Sequence, residues 1–300
     1  MKKTGLAVGL ALLVGVLLRL CVITSFHIPS EGMENTLLRG ERILVNRWSY
    51  GWRLPFIGLW GYHRWAEKEV RKGDVIVFNN PAHHPSSTAI DQRDVFIGRC
   101  IGLPGETLWM DTLFTVVSPP VQSPDRKLLY TYPTHKYQHL KKLIEELQVQ
   151  AELPTPGKDT TGICSISPYE LYILQQALPA DSCWLLPLQQ AEKHLSTFPF
   201  VVPRKGQTVS ITSQNRTLLC NTLLLHEQQR AHLKNDTLFL NGKPIQSYTF
   251  RKSYHWVMSD NASNLQDSRL FGLIPTDHLI GCATYIWYSA DRKRIGEKIY

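Results

Sequence analysis

The sequence predicts a mostly β protein with a mixed α/β insertion and one apolar N-terminal segment of membrane-spanning length. Three observations carry that expectation. Short runs rich in Val, Ile, Phe, Tyr and Trp alternate with Gly-, Pro- and Asn-containing turns, the strand-and-turn pattern. Helix-period apolar stripes are confined to the middle of the chain, roughly residues 110 to 200. A single stretch is apolar for the length of a bilayer span, which excludes a polytopic membrane protein. The 18 Pro and 19 Gly among 300 residues argue further against a helical bundle or coiled coil. A hydrophobic content of 43 % suffices for a real core and excludes wholesale disorder.

The elements follow in chain order. Met1-Lys2-Lys3 opens the chain, Gly5 to Leu18 is apolar or glycine, Arg19 interrupts, and Leu20 to Ile23 resume. A cleaved secretory signal and a retained anchor both have this shape. No small-x-small cleavage site follows, so an anchor over 5–25 is expected, with residues 1–4 cytoplasmic and the rest outside. Outside the cytoplasm, nucleic acid is not an expected partner for the net charge of +8. A solvated basic surface accounts for it. Residues 40–47 form a β-type run. Between 49 and 65 stand Tyr50, Trp52, Phe56, Trp60, Tyr62 and Trp65, readable equally as core or as an interfacial aromatic belt.

Lys72 to Phe78 reads as a turn and a buried strand, Asp94 to Ile101 as another, ended by Gly102-Leu103-Pro104-Gly105. In the middle, Leu140, Leu143, Ile144 and Leu147 form a helical stripe. Ser167-Pro168-Tyr169-Glu170 is a capping box with Pro at the first helical position, ahead of Leu171, Leu174 and Leu178. Pro and Gly mark borders at Pro119-Pro120, Pro154–Gly157 and Pro199–Pro203. Further strands are expected at 206–212, 237–240, 255–258 and 283–288, with Asn241-Gly242 a hairpin signal. The expected division is a β-rich core from 26–108 and 201–300, with 109–200 inserted. Six Cys without CxxC pairs or His at zinc spacing point to no structural metal, and no nucleotide signature or other cofactor is expected. Cys164 and Cys183 share the insertion and could bridge, though connectivity is not readable from sequence.

Four stretches, in order, resemble the characteristic boxes of bacterial type I signal peptidases, membrane-anchored Ser/Lys proteases that remove signal peptides from exported proteins. They are Ile28-Pro29-Ser30-Glu31-Gly32-Met33-Glu34-Asn35-Thr36-Leu37-Leu38; Gly40 to Asn46 with Lys72 to Phe78; Phe96-Ile97-Gly98-Arg99-Cys100-Ile101 to Glu106; and Ser259-Asp260-Asn261-Ala262-Ser263-Asn264-Leu265-Gln266-Asp267-Ser268-Arg269. The wording is similar to Bacteroides-type members. The resemblance implies a signal-peptidase-like β fold, an inner-membrane anchor with a periplasmic main domain, and preprotein signal peptides as ligands.

The departures matter as much as the matches. The family's nucleophilic serine falls on Gly32, its general-base lysine on Gly98, and the serine that supports the lysine on Leu265. An acyl-enzyme needs a hydroxyl and a base within hydrogen-bond reach, and glycine offers neither. Ser30 matches an oxyanion-donor position and stands with Met33 as a substrate-binding candidate. Arg99, Asp260, Asp267, Ser268 and Arg269 are expected to be structural beside the old site, Asp267 and Arg269 as an ion pair. Cys100, His83 and His84 are the weaker candidates for a relocated nucleophile or base. The expectation is therefore a non-catalytic homologue that binds signal peptides, an active paralogue or a translocon component. The alternatives are an active enzyme with a rearranged site, and a scaffold acting through the insertion.

Overall fold

The computed structural model describes residue 15 and residues 22–82, 88–118, 126–157, 159–178, 184–188 and 196–300. Its centre is an antiparallel sheet of seven strands: β1 (Ile23–His27), β2 (Arg42–Asn46), β3 (Val75–Asn79), β4 (Val95–Gly102), β5 (Tyr254–Met258), β6 (Ile274–Pro275) and β7 (Leu279–Tyr288). Their spatial order is β1-β2-β7-β3-β4-β5-β6. The period-2 rule explains how one strand feeds two cores. Val75 and Val77 face Ile43, Val45, Met33, Leu37 and Ile286, whereas Ile76 and Phe78 face Cys100, Val257 and Leu279. A strand buried on both faces reads as the continuous apolar run Val75-Ile76-Val77-Phe78.

The insertion leaves and returns through a paired door. Thr107–Met110 runs antiparallel to Phe198–Val201, with Met110 opposite Phe198 and Thr107 opposite Val201. Beyond the door lies a three-stranded sheet, with Leu128–Pro133 between Thr161–Ile166 and Leu186–Pro187. Two helices cover it: α1 (Tyr137–Glu146) and α2 (Pro168–Ala177). Leu140, Leu143 and Leu174 join Tyr130, Tyr132, Cys164 and Ile166 in a core of their own. Both arms of the capping box form: the Glu170 amide donates to Ser167 Oγ and the Ser167 amide to Glu170 Oε2, 2.7 Å. Cys164 is buried and free, and Cys183 lies outside the described residues.

A third packed region carries helix α3 (Arg216–Leu225), where the sequence marked no helix. It packs with Leu108, Met110, Phe200 and Trp256 around Leu219 and Leu223. The hairpin of Ala231–Lys234 and Thr237–Leu240 continues through Asn241 and Gly242, at φ 51° and 80°, into Lys243–Pro244. Two consecutive positive φ values are what a two-residue type I′ turn requires, and Asn-Gly tolerates them.

Two expectations need adjusting at the N-terminal side. Ile23, Thr24 and Ser25, placed in the anchor, are strand residues opposite Asn46, Val45 and Leu44. Among the described residues no helix is long and apolar enough to cross a membrane, and the apolar stretch falls largely on residues 1–14 and 16–21, outside them. The aromatic region divides between its two readings. Tyr50 is buried and Trp52 stacks on Trp65 at 4.9 Å, but Phe56, Leu59 and Trp60 are exposed.

Candidate functional site

Three elements converge on one polar centre. The loop between β1 and β2 supplies Ser30 to Leu38, β4 supplies Gly98 and Arg99, and the turn after β5 supplies Ser259 to Arg269. The β4–β5 ladder sets Met258 opposite Arg99 and Val257 opposite Cys100. The turn is tied to the first loop by backbone: the Asn261 amide donates to the Gly32 carbonyl, 3.1 Å.

Arg99 and Asp260 form the hub. Nε and Nη2 of Arg99 donate to Asp260 Oδ1 and Oδ2 at 2.7 and 2.6 Å, a fork-to-fork pair with both side chains buried. Thr36 Oγ1 donates to Asp260 Oδ2 at 2.6 Å, and Arg99 Nη1 donates to the Gly73 and Tyr300 carbonyls. A buried pair needs such satisfaction because desolvating both charges cancels most of their attraction. Asp267 and Arg269 form a second buried pair at 2.6 Å. Asp267 also caps the short helix α4 (Ser268–Phe271) and accepts the Ser259 amide. Arg269 donates to the Ala262 and Asn264 carbonyls, which fixes the turn. Ser268 Oγ accepts the Val257 amide at 2.9 Å.

The two glycines lie against this framework, and their side-chain space is occupied. A Cβ on Gly32 would stand 1.8 Å from Asn264 Nδ2 and 2.9 Å from its Cγ. The Asn264 carboxamide is held there by Ser259 Oγ at 3.2 Å. A Cβ on Gly98 would stand 2.6 Å from Val257 Cγ1 and 3.2 Å from the Met258 carbonyl oxygen. Neither glycine has a positive φ, so conformational freedom does not explain it; close approach does. Leu265 is exposed.

The insertion contributes side chains that no motif marked. Lys127, almost fully buried, pairs with Glu34 at 2.7 Å and donates to the Gln150 carbonyl. Its backbone bridges Asn261 in parallel. Ser165 Oγ donates to Asn261 Oδ1 at 2.7 Å, and Asn261 Nδ2 to Glu152 Oε1 at 2.5 Å. Ser263 Oγ also donates to Glu152. Carboxylate oxygens of Glu31, Glu34 and Glu152 lie within 4.8 Å of one another. Lys127, Asn261 and Ser263 already serve two of the three, so this cluster is a protein-bonded latch between the first box, the fourth box and the insertion. These residues carry no sequence signal beyond being polar in a β context.

The remaining candidates are dispersed. Ser30 is exposed, and its hydroxyl has no hydrogen bond among the described residues. Met33, a substrate-binding candidate, has its side chain in the core with Ile28 and Leu37. Cys100 is fully buried and burial pushes its thiol well above the ordinary range, so it is no thiolate nucleophile. His83 and His84 lie outside the described residues.

With that geometry established, comparison with known proteins places the chain. The family "Signal peptidase, peptidase S26" matches residues 1–173 and 201–288, and the chain belongs to it. The match runs across most of the insertion, leaving 174–200 outside it. The chain is similar to Signal peptidase I of Buchnera aphidicola subsp. Baizongia pistaciae, 24 % identical over 289 residues, 94 % of this chain and 75 % of the relative. It is 36 % identical to Signal peptidase I of Pseudomonas fluorescens over 103 residues, 32 % of this chain and 30 % of the relative. Signal peptidase I of Haemophilus influenzae matches at 22 % over 283 residues, covering 92 % and 66 %. The protein is thus a bacterial-type signal peptidase I homologue with a mostly β fold.

Proposed function

We propose that this homologue keeps the family's peptide-recognising framework and has lost its cleavage chemistry. One observation carries the reading. The side-chain space at Gly32 and Gly98, the positions that resemblance assigns to nucleophile and base, is filled by Asn264 and Val257. Loss of the nucleophile alone costs a serine protease about 10⁶ in turnover. The ion pairs and caps that shape the surrounding turn are all made, so the surface beside β4 is maintained without its reactive groups. Signal peptides or preproteins are the proposed ligands, bound as an added strand. The protein is further proposed to be anchored in the inner membrane by residues 5–22, main domain periplasmic. Exposed Phe56, Leu59 and Trp60 suit a belt at headgroup level.

The test is preprotein cleavage by the full chain in proteoliposomes, with binding of the same preprotein followed by crosslinking. Crosslinking without cleavage is expected. Cleavage that disappears in Ser30→Ala overturns the reading.

A further inference from the structure

The room that a side chain on Gly32 would use is taken above all by one atom, Nδ2 of Asn264. An added Cβ would stand 1.8 Å from it, little more than a single-bond length. Nδ2 therefore lies within the reach of a small side chain on residue 32. The carboxamide is oriented at its other end, where Oδ1 accepts the Gln266 amide at 3.1 Å. Nδ2 carries two N–H groups. Ser259 Oγ takes one, at 3.2 Å, and the other has no partner among the described residues. The Ser259 hydroxyl, buried, likewise finds no acceptor for its own proton there. Ser30, two residues before Gly32, is exposed. The space is thus lined by hydrogen-bond donors and holds no nucleophile. Donors without a nucleophile or base can hold a carbonyl oxygen without attacking its carbon.

Charge selects the form of the ligand. The guanidiniums of Arg99 and Arg269 are held by Asp260 and Asp267. Arg126 has no carboxylate partner among the described residues, but its Nη2 lies 3.8 Å from Met258 Sδ. Successive strand residues face opposite ways, and a side chain on Gly98 would meet Val257, so Arg126 lies on the other face of β5. A free carboxylate beside Asn264 would be desolvated among neutral donors with no cation, a cost that an uncharged peptide carbonyl escapes. We propose that Asn264 is a ligand-binding residue that donates to a main-chain carbonyl of a continuous polypeptide, so that the ligand is the uncut preprotein across its signal-peptide junction and not the released signal peptide. The inference rests on the peptide-binding reading above and narrows its ligand.

The experiment is fluorescence anisotropy of labelled peptides on the full chain in nanodiscs, with empty nanodiscs subtracting partition into lipid. Two peptides span a junction with an A-x-A-like site. One keeps the junction amide; in the other an E-alkene replaces it, planar and uncharged but without a carbonyl. The native chain should prefer the amide about fivefold, the ratio one neutral hydrogen bond supplies. In Asn264→Asp that preference should disappear. The aspartate keeps an oxygen for the Gln266 amide and one for the Ser259 hydroxyl, so only the donor is lost. Asn264→Ala, which removes the donor without adding a charge, is the second variant and should lose the preference too. A further pair, truncated at the junction, ends in a carboxylate or a carboxamide, and the carboxamide should bind about tenfold more tightly. An amide preference that persists in both variants, or tighter binding of the carboxylate, overturns the proposal. No saturable binding of any peptide to the native chain overturns instead the reading on which it rests.

Discussion

Two halves of the same polar centre have been treated differently. In one half, Arg99–Asp260 and Asp267–Arg269 are buried, forked and supported by Thr36, Ser259 and backbone carbonyls. In the other, Gly32 and Gly98 present no side chain, and Asn264 and Val257 lie in the space. On the proposed reading, the difference separates what the fold needs from what bond cleavage needs. A buried charge stripped of its partner destabilises the protein whether or not it catalyses anything. A nucleophile or base can vanish at no cost to folding, and neighbouring side chains then pack into the room.

The sharpest way to break that comparison is to strip one charge. Asp260→Ala leaves the Arg99 guanidinium buried without its counter-charge, held only by Thr36 and the Gly73 and Tyr300 carbonyls, and we expect a loss of about 3–5 kcal/mol by urea unfolding. A loss under about 1 kcal/mol would mean the pair is not structural.

The next largest effect concerns groups the fold keeps uncharged. Burial lowers His226 to about 3 and His255 to about 4, against about 6.5 in the unfolded chain. Below about 6.5 the unfolded chain takes up protons that the folded one refuses, so stability is full above that pH and falls beneath it. The slope should approach about 1.4 kcal/mol per pH unit for each histidine, until the folded pKa is reached. Burial lowers His278 as well, so His255→Phe should remove one histidine's share of the slope between pH 6 and 4, up to about 1.4 kcal/mol per pH unit; an unchanged slope would reassign it.

Refilling the empty half sharpens the contrast further. Gly32→Ser forces Asn264 away from Ser259 and should cost about 1–3 kcal/mol. With Asn264→Ala added, most of that cost should disappear, giving a favourable coupling in a double-mutant cycle. Additive effects would show that Asn264 does not fill the site. The smallest effect is expected at the exposed pair Lys72–Glu106, 3.2 Å apart, where Glu106→Gln should change stability by less than about 1 kcal/mol beyond its bond to the Leu103 amide.

Much of this was legible in the sequence, and the reasons are local. The strands around Val75–Phe78 and Tyr254–Met258, the capping box at Ser167 and the Asn241-Gly242 turn each announce themselves by spacing or by turn chemistry. Helix α3 did not: Leu218, Leu219, Leu223, Leu224 and Leu225 blur its periodic face, and Asn215 at its start makes no side-chain cap. Of the site, the boxes were visible and the glycines conspicuous. Lys127, Glu152 and Ser165 were not, because their contacts to Glu34 and Asn261 span about a hundred residues and obey no period. The fate of the glycines' space was likewise invisible, since it depends on which rotamer Asn264 adopts over a turn.

Asn264 also bears on history. A serine introduced at residue 32 would meet a lodger already hydrogen-bonded in its side-chain space. On the proposed reading, Ser/Lys chemistry here would require at least one permissive change first, with no benefit until a lysine also stood beside Val257 and the Met258 carbonyl. On the proposed reading the packing acts as a ratchet: with these neighbours settled in, the route to a Ser/Lys protease is longer than the route away from one.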